Sequence, residues 1–397
     1  MRYVEVRIVT LVFSSMDLSS VIRPGDGIIW GQACAEPQTL VEALLAQRTK
    51  LGGVSAFMGA SYSGIVRPEH ADHLRLSGYC GTGTNRALAE AGVLEILPVP
   101  YSRLGALIRE RRIRCDVAMV QVSPPNARGE YSLGLGVEYL AAALETARAV
   151  IAEVNSLVPW THTAPLLRRS DFAMIAETSR PPVSVPCRAG DLERAIAEHA
   201  AAWIPEGATV ECGIGNLPNA VLAALRSRRD IAVHTGAIPD AAILFNRLKC
   251  AGGGLFGTQA LFDWAGRNAD LRLHSSDYTH GAATLSRIDR FVAVNSAVEV
   301  DFSGQVNGEV ARGVYVGAVG GALDFIRAAN ASPGGVSIIA LPAARIVPQL
   351  SGPVSIPRGE AGIIVSELGS ADLRGCSVKE PSRYSQGPVW PSIDNQY

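Results

Sequence analysis

Three ionisable side chains in this sequence stand where they could do acid–base chemistry in a ligand cleft. Glu36, Glu211 and His234 each lie near the end of a short apolar run of the kind that forms a buried strand. A carboxylate or an imidazole placed there can take a proton from water, and histidine titrates close to neutral pH. We predict these three as candidate bases. The alternatives are that Glu36 caps the helix after it, that Glu211 forms a buried ion pair and that His234 only orients its loop.

The residue two positions after His234 is a glycine, at a point where a carboxylate would be the most useful side chain. The apolar segment 231–233 predicts a strand, and 234–240 predicts the loop that follows it. Ligands of open α/β sheets meet the chain at such carboxyl ends of strands. Because Gly236 has no side chain, it cannot attack a substrate. The ligand and the reaction therefore have to be inferred separately.

Two glycine loops predict where an anionic ligand would bind. One lies between a predicted strand and a predicted helix, and the other precedes a second helix. Glycines let backbone amides approach a ligand, and the amino end of a helix favours negative charge. The first loop does not match the dinucleotide motif Gly-x-Gly-x-x-Gly, because Pro218 takes the third position. The predicted ligand-binding residues are Gly213, Gly215, Asn216, Gly317, Gly320 and Gly321.

The composition is that of a folded protein with little net charge. The 397 residues are 48% hydrophobic and 18% charged, and the formal net charge is −1. Two domains are therefore expected, and neither nucleic acid nor an anionic membrane is an expected partner. The seven scattered cysteines fit free thiols in a reducing cytoplasm. Only His70 and His73 lie close together, without a nearby cysteine, so we predict no metal site.

The amino terminus does not predict a targeting or membrane segment. Charges interrupt each of its short apolar runs, unlike the runs of a signal peptide. No uncharged run of the chain approaches the roughly 18–20 apolar residues of a membrane span. We expect a soluble protein of the cytoplasm.

An internal duplication predicts the architecture. Two segments, which begin at Pro24 and Pro205, both read as a turn, a short apolar run, a loop and a helix, and in each a second proline follows 13 residues later. Strands that alternate with helices indicate largely parallel sheets. We therefore predict an α/β fold of two similar domains, 1–185 and 186–397, joined by a proline-rich link. The ligand cleft is expected between them.

Several segments, each weak alone, form a specific set that runs from about residue 18 to about residue 380. These segments are Gly213–Pro218, His234–Thr235, Val294–Ser296, Val300–Val306, Gly317–Phe325, Ser337–Pro342, Arg345–Pro348 and Ser366–Gly375. Together they resemble the acetyl-CoA hydrolase/transferase family, which includes the 4-hydroxybutyrate and butyryl CoA-transferases.

The resemblance implies two related α/β domains of the CoA-transferase type and an acyl-CoA thioester bound in the cleft as substrate. No tightly bound cofactor is implied, and a homodimer or higher homo-oligomer is expected. In the family a glutamate attacks the thioester, forming an acyl anhydride and then a glutamyl-CoA thioester, which an acceptor carboxylate resolves. The resemblance also implies that amides around Gly213–Gly215 and Gly320–Gly321 stabilise the oxyanion.

The sequence departs from the family at the position that matters most. The resemblance places the attacking glutamate at Gly236, and Ala322 stands where many relatives have glutamine. We therefore predict hydrolysis by activated water, of a thioester or of a C–C bond in a CoA-linked substrate. The alternatives are CoA transfer through another carboxylate, such as Asp240 or Glu367, and CoA-ester binding without catalysis. If the remaining site is intact, Gly236→Glu should create some transferase activity.

Overall fold

The computed structural model describes residues 16–245, 247–377 and 385–386, which form two α/β halves with matching sheets. The predicted fold class is thereby confirmed. The start of the chain, for which no signal peptide was predicted, lies outside the described residues. Among the described residues, no helix is both long and apolar enough to cross a membrane.

The amino-terminal half is built around a parallel sheet with the strand order β4-β3-β2-β1-β5-β7-β9. Its strands are β1 (Gly27–Trp30), β2 (Ser55–Met58), β3 (Arg75–Gly78), β4 (Leu94–Ile96), β5 (Val117–Val122), β6 (Glu130–Tyr131), β7 (Ala149–Asn155), β8 (Leu167–Arg168) and β9 (Met174–Thr178). Its helices are α1 (Gln38–Gln47), α2 (Asn85–Glu90), α3 (Leu104–Arg109) and α4 (Leu140–Thr146). Every residue of β1 and β5 is buried, as expected for inner strands of a parallel sheet covered on both faces.

The carboxy-terminal half repeats this plan with the strand order β13-β12-β11-β10-β14-β19-β21-β22-β23. Its sheet strands are β10 (Thr209–Cys212), β11 (Ala232–Pro239), β12 (Cys250–Phe256), β13 (Leu271–Leu273), β14 (Phe291–Ser296), β19 (Val336–Ala340), β21 (Ile363–Ser366), β22 (Gly369–Asp372) and β23 (Ser385–Gln386). Outside this sheet lie β15 (Glu299–Asp301), β16 (Val306–Asn307), β17 (Val310–Ala311), β18 (Val314–Tyr315) and β20 (Ile346–Val347). The helices are α5 (Asp191–Ala201), α6 (Asn216–Ala224), α7 (Gln259–Ala265), α8 (Ser276–Thr279), α9 (Ala282–Leu285) and α10 (Ala322–Ala331).

The strand orders of the two sheets match strand for strand from β4 to β9 and from β13 to β21. β1 and β10 are the corresponding central strands. They are formed by the short apolar runs that follow Pro24 and Pro205 in the duplicated segments. Only the pairings of β22 and β23 in the second sheet are antiparallel. The first sheet ends at Thr178 and the second begins at Thr209, so the predicted boundary at residue 185 falls between them and stays a prediction.

The prediction that the strand ends before Gly236 is wrong. β11 continues to Pro239, and Gly236 lies inside it. Glycine and proline in the sequence indicated a break, but the strand continues because the neighbouring β12 contains the run Gly252–Gly254. A Cβ atom at Gly253 would lie 2.7 Å from the carbonyl oxygen of Gly236. The glycines therefore allow two backbones to approach more closely than side chains would permit.

The two halves hold each other through a reciprocal exchange of loops. The loop before α4 crosses to the second sheet, where the amide of Val137 donates to the carbonyl of Gly253 (2.9 Å) and the amide of Ser276 donates to the carbonyl of Glu138 (3.1 Å). The loop before α10 does the same to the first sheet, in two further hydrogen bonds. These run from the amide of Gly81 to the carbonyl of Gly317 (2.9 Å) and from the amide of Tyr101 to the carbonyl of Gly320 (2.9 Å).

We predict that Gly81→Ala destabilises the protein through this exchange. The added Cβ would lie 1.9 Å from the carbonyl oxygen of Tyr315, a backbone atom that cannot rotate away. We expect a loss of about 1–3 kcal/mol in the free energy of unfolding, measured by chemical denaturation. Gly359→Ala is the matched control, since its Cβ would meet no heavy atom within 4 Å. Equal effects of the two variants would contradict the prediction.

Helix α1 is capped by a carboxylate from another element. Glu153, in β7, accepts hydrogen bonds through Oε2 from the amides of Thr39 (2.7 Å) and Leu40 (3.2 Å). Its Oε1 has no hydrogen-bond partner among the described residues. Burial raises the pKa of Glu153 to about 7. Glu36 is thus not the cap of this helix, contrary to one alternative from the sequence.

We predict that the protein loses stability as the pH rises from about 5 to about 8. The pKa of Glu153 is about 7 in the folded chain and near 4.5 in the unfolded chain. The stability it contributes is therefore present below pH 4.5 and is lost as the pH rises through about 7. Its share is on the order of 3 kcal/mol. Denaturation of Glu153→Gln at both pH values should show a smaller loss than the wild type; equal losses would refute this.

Candidate active site

A cavity of about 190 Å³ lies between the two halves, at the carboxyl ends of their central strands. From the amino-terminal half, residues in the connections that follow β1, β2, β3 and β4 reach it, together with the loop before α4. From the other half come the ends of β10 and β14, the middle of β11, the residue after α8 and the loop before α10. Two larger surface grooves, of about 530 and about 1050 Å³, contain none of the predicted site residues.

The structure brings some of the predicted residues to this cavity and places others elsewhere. Among the described residues, the predicted ones that line it are Glu211, Gly213, Gly236, Gly320 and Gly321. Those outside its lining are Glu36, His234, Gly215, Asn216, Gly317, Asp240 and Glu367. The roles predicted for the first group stay predictions.

Glu211 is the one predicted base that reaches the cavity. Its Oε2 accepts a hydrogen bond from Nδ2 of Asn295 at 2.8 Å. Burial raises the pKa of Glu211 to about 8. Its side-chain partner is thus a neutral amide and not a cation, so the alternative of a buried ion pair is wrong.

Glu36 and His234 have structural partners away from the cavity. Glu36 accepts hydrogen bonds from the hydroxyls of Ser63 (2.8 Å) and Ser61 (3.1 Å), and burial raises its pKa to about 7. Nε2 of His234 lies 2.8 Å from the carbonyl oxygen of Thr279. A carbonyl only accepts, so this nitrogen carries the proton. The contact fixes the end of α8, which matches the alternative that His234 orients its surroundings.

The remaining predicted residues also have other contacts. Oδ1 of Asn216 accepts from the amide of Arg188 at 3.0 Å, and the carbonyl of Gly317 belongs to the loop exchange. Asp240 accepts from the amide of Thr258 at 2.8 Å, and Glu367 from the amide of Ala343 at 2.9 Å.

The backbone amide of Gly213, which the resemblance implies would stabilise the oxyanion, already has a hydrogen-bond acceptor. It donates to the carbonyl of Val294 at 2.9 Å, so it is already engaged in the backbone pairing next to the sheet.

Glu138 is a cavity carboxylate that the sequence analysis missed. Its Oε1 accepts from Nε2 of Gln32 at 2.6 Å, and the hydroxyl of Tyr101 is a second donor. The hydroxyl of Tyr79 donates to the other end of Gln32, at 2.8 Å from Oε1. Burial raises the pKa of Glu138 to about 7, although both donors oppose this increase.

Glu138 escaped prediction because it does not end an apolar strand. It lies in a loop with a positive φ of 46°, two residues before α4. Gly320, with a φ of 59°, precedes α10 in the same way. Both residues form isolated parallel bridges to the opposite half, Glu138 with Ser275 and Gly320 with Pro100. Comparing these two loops is the signal that could have identified the residue.

His280 is a second cavity residue that the sequence analysis missed. Its ring lies beside Gly236 and Gly321: a Cβ at Gly236 would lie 3.0 Å from its Cε1, and a Cβ at Gly321 would lie 2.4 Å from its Nε2. The ring packs between Tyr101 and Phe325, with centroid distances of 4.7 and 4.4 Å. Burial lowers the pKa of His280 to about 3, so the ring is neutral at physiological pH.

The ionisable side chains that the structure describes around the cavity include acids and no strong base. The described lining contains the two carboxyl groups of Glu138 and Glu211 and neither lysine nor arginine. The described residues also contain no cluster of histidine, cysteine, aspartate and glutamate that could hold a metal ion.

Comparison with solved structures identifies the class of protein. A 4-hydroxybutyrate CoA-transferase from Porphyromonas gingivalis has a TM-score of 0.77 at 28% identity, over 94% of this chain and 91% of that one. RipA from Yersinia pestis has a TM-score of 0.85 at 27% identity, over 92% and 90%. The fold is that of the CoA-transferases.

Sequence comparison then gives the family. Residues 10–168 and 257–384 match the amino- and carboxy-terminal domain models of the acetyl-CoA hydrolase/transferase family. The chain is 33% identical to the 4-hydroxybutyrate coenzyme A transferase of Clostridium kluyveri, over 92% of this chain and 91% of the relative. It belongs to the acetyl-CoA hydrolase/transferase family, whose members act on acyl-CoA. Gly236 lies between the two matched ranges, and its replacement of a catalytic glutamate stays a prediction.

Proposed function

We propose that the protein hydrolyses short acyl-CoA thioesters with water activated by a carboxylate of the cavity. The observation that carries this proposal is the charge of the lining: Glu138 and Glu211 are present, and no lysine or arginine accompanies them. Water is neutral and enters such a cavity readily. The acceptor of a CoA-transferase is a carboxylate, which would enter as an anion beside acidic groups.

The electrostatic cost of an anionic acceptor is large enough to favour water. Two like charges about 5 Å apart at an effective dielectric constant of about 20 repel by about 3 kcal/mol. That repulsion corresponds to a factor on the order of 100 in binding. A base must be ionised to work, so an anionic acceptor would meet this repulsion whenever the site is active.

Two carboxyl groups can divide the proton transfers of hydrolysis. The pKa of Glu138 is about 7, so a substantial fraction is ionised near neutral pH and can take a proton from water as its oxygen bonds to the thioester carbon. The pKa of Glu211 is about 8, so this group is largely protonated and can give its proton to the thiolate when the C–S bond breaks. The products are a carboxylic acid and free CoA thiol.

The size of the cavity limits the acyl group. A volume of about 190 Å³ corresponds to about six water molecules at roughly 30 Å³ each. A short acyl chain fits this space, and the CoA portion must lie outside it.

We predict acetate-independent thiol release from short acyl-CoAs. Butyryl-CoA should react faster than palmitoyl-CoA, which is too long for the cavity, and faster than succinyl-CoA, whose free carboxylate would face Glu138 and Glu211. Release is followed with a thiol reagent, with and without acetate. Ester exchange that requires acetate, or a glutamyl adduct trapped by hydroxylamine, would overturn hydrolysis in favour of transfer. Tight CoA-ester binding without turnover would instead favour a binding protein.

We further predict that Glu138→Gln and Glu211→Gln each lower kcat by about 100-fold or more, the usual range for loss of a general acid or base. Glu36→Gln is the matched control, because Glu36 is also buried with a raised pKa but does not line the cavity. Its kcat should stay within about threefold of the wild type. Equal losses in all three variants would indicate a general structural effect and contradict the proposal.

CoA transfer through Glu138 or Glu211 is the second candidate, supported by the similarity to a transferase over nearly the whole chain. Hydrolysis of a C–C bond has no separate observation in its favour. Function in the cytoplasm and assembly into a homo-oligomer stay predictions from the sequence.

A further inference from the structure

We propose that His280 occupies the space of the side chain missing at Gly236 and holds the hydrolytic water through Nε2 of its imidazole. This inference rests on the proposed hydrolysis and adds a residue to it. The imidazole would accept a hydrogen bond from water beside the thioester carbon, while a cavity carboxylate takes the proton.

The ring of His280 fills the space beside Gly236 and Gly321. The ring of His280 lies where a side chain at Gly236 would begin, with 3.0 Å between the Cβ position and Cε1 and 3.1 Å to Nε2. On its other side, a Cβ at Gly321 would meet Nε2 at 2.4 Å and Cδ2 at 2.5 Å. No real Cβ approaches a ring atom so closely. The ring position therefore excludes a side chain at Gly321 unless the ring moves, and a side chain at Gly236 would require the ring to shift by a few tenths of an ångström.

The contacts of Thr279 bear on which nitrogen of the His280 ring carries the proton. Oγ1 of Thr279 lies 3.2 Å from the carbonyl oxygen of Ser275 and 2.8 Å from Nδ1 of His280. With the hydroxyl hydrogen directed at the carbonyl, which can only accept, the hydroxyl accepts from Nδ1. Under the proposal Nδ1 therefore carries the proton, and Nε2 is left as an acceptor. That atom is on the cavity edge of the ring, between the two glycines.

Contacts from both halves of the protein hold the ring of His280 in place. Both halves fix α8, which immediately precedes His280. Nε2 of His234 bonds to the carbonyl of Thr279 at 2.8 Å, and the guanidinium of Arg109 pairs with Asp277 at 2.7 Å from the other half. Aromatic contacts with Tyr101 and Phe325 hold the faces of the ring. A neutral acceptor held this rigidly loses little entropy when it binds one water molecule.

The chemistry balances without a further reactant. The water oxygen forms a bond to the thioester carbon, one of its protons passes to the carboxylate, and the C–S bond breaks with the electron pair going to sulfur. The thiolate then takes a proton from a carboxylic acid of the cavity. Nε2 accepts a hydrogen bond from the other hydrogen of the water and stays neutral throughout.

A simpler possibility is that the ring only fills space, and His280→Phe separates the two roles. Phenylalanine keeps an aromatic ring of similar size and has no Nε2 acceptor. We expect kcat for butyryl-CoA hydrolysis to fall about tenfold or more, as for the loss of one hydrogen bond in a transition state, with KM within about twofold. His274→Phe is the control, since His274 stacks on Tyr278 in α8 but does not line the cavity. Unchanged kcat in His280→Phe would overturn the proposal.

A double substitution tests the shared space. The sequence alone predicts some transferase activity for Gly236→Glu. Because the ring of His280 crowds the new side chain, we instead expect no acetate-dependent ester exchange from this single variant. Gly236→Glu combined with His280→Ala frees that volume and should produce measurable exchange. Exchange by the single variant equal to that of the double variant would contradict the placement of the ring.

A measurement independent of activity keeps the two proposals apart. Nitrogen-15 NMR of labelled histidine, assigned with His280→Phe, should show His280 neutral at pH 7 with the proton on Nδ1. A proton on Nε2 would overturn the inference even if hydrolysis occurs. If no acyl-CoA is hydrolysed by a wild type whose spectrum shows the Nδ1 proton, the proposed function fails while the placement of the ring stands.

Discussion

The reciprocal exchange of loops between the two halves is the interaction on which the site depends. Each half extends the loop before one helix onto the strand ends of the other, and backbone hydrogen bonds fix both loops. The same loops carry Glu138 on one side and Gly320 and Gly321 on the other. If the halves separated, the cavity would lose residues from both walls at once. Formation of the cavity and association of the two halves are therefore coupled through the backbone at this interface.

Within that frame the cavity combines acids that lack counter-ions with one neutral histidine. Burial raises the pKa of Glu138 and Glu211 towards neutrality because solvent is excluded and no cation compensates. Such groups can exchange protons near physiological pH, which distinguishes them from surface carboxylates. The same burial has the opposite effect on His280, whose pKa it lowers. Burial thus shifts all three pKa values in the direction that favours the neutral form of the group.

Sequence patterns predicted the fold well because the duplication repeats the same spacing of prolines and apolar residues. They placed Glu211, Gly213 and Gly236 near strand ends, where the cavity lies. They wrongly placed Gly236 in a loop after the strand. The glycine run of β12 lets β11 continue through Gly236, although glycine and proline in the sequence indicate a loop. Glu138 and His280 lie in short connections without periodicity, and their position depends on contacts with the opposite half. A single chain position gives no signal of such long-range contacts.

His234 shows why residue type and position in the sequence do not identify the histidine that lines the cavity. A histidine at a strand end beside a predicted cleft is a reasonable base, but its proton is committed to the carbonyl of Thr279. The residue that reaches the cavity, His280, follows that same threonine by one position. A residue that lines the cavity and the residue that anchors its segment are thus neighbours in the chain.

Glu138 and Gly320 occupy equivalent places in the two copies of the duplicated loop, with similar backbone conformations. One copy bears an acid and the other bears no side chain. The backbone hydrogen bonds that join the halves require only main-chain atoms, so both loops can lock the interface whatever residue they carry. At this position of the duplicated loop, backbone atoms alone make the contact with the opposite half. The side chain can therefore differ between the two copies. The backbone of the two halves is nearly symmetric. The side chains that the two halves contribute to the cavity are different.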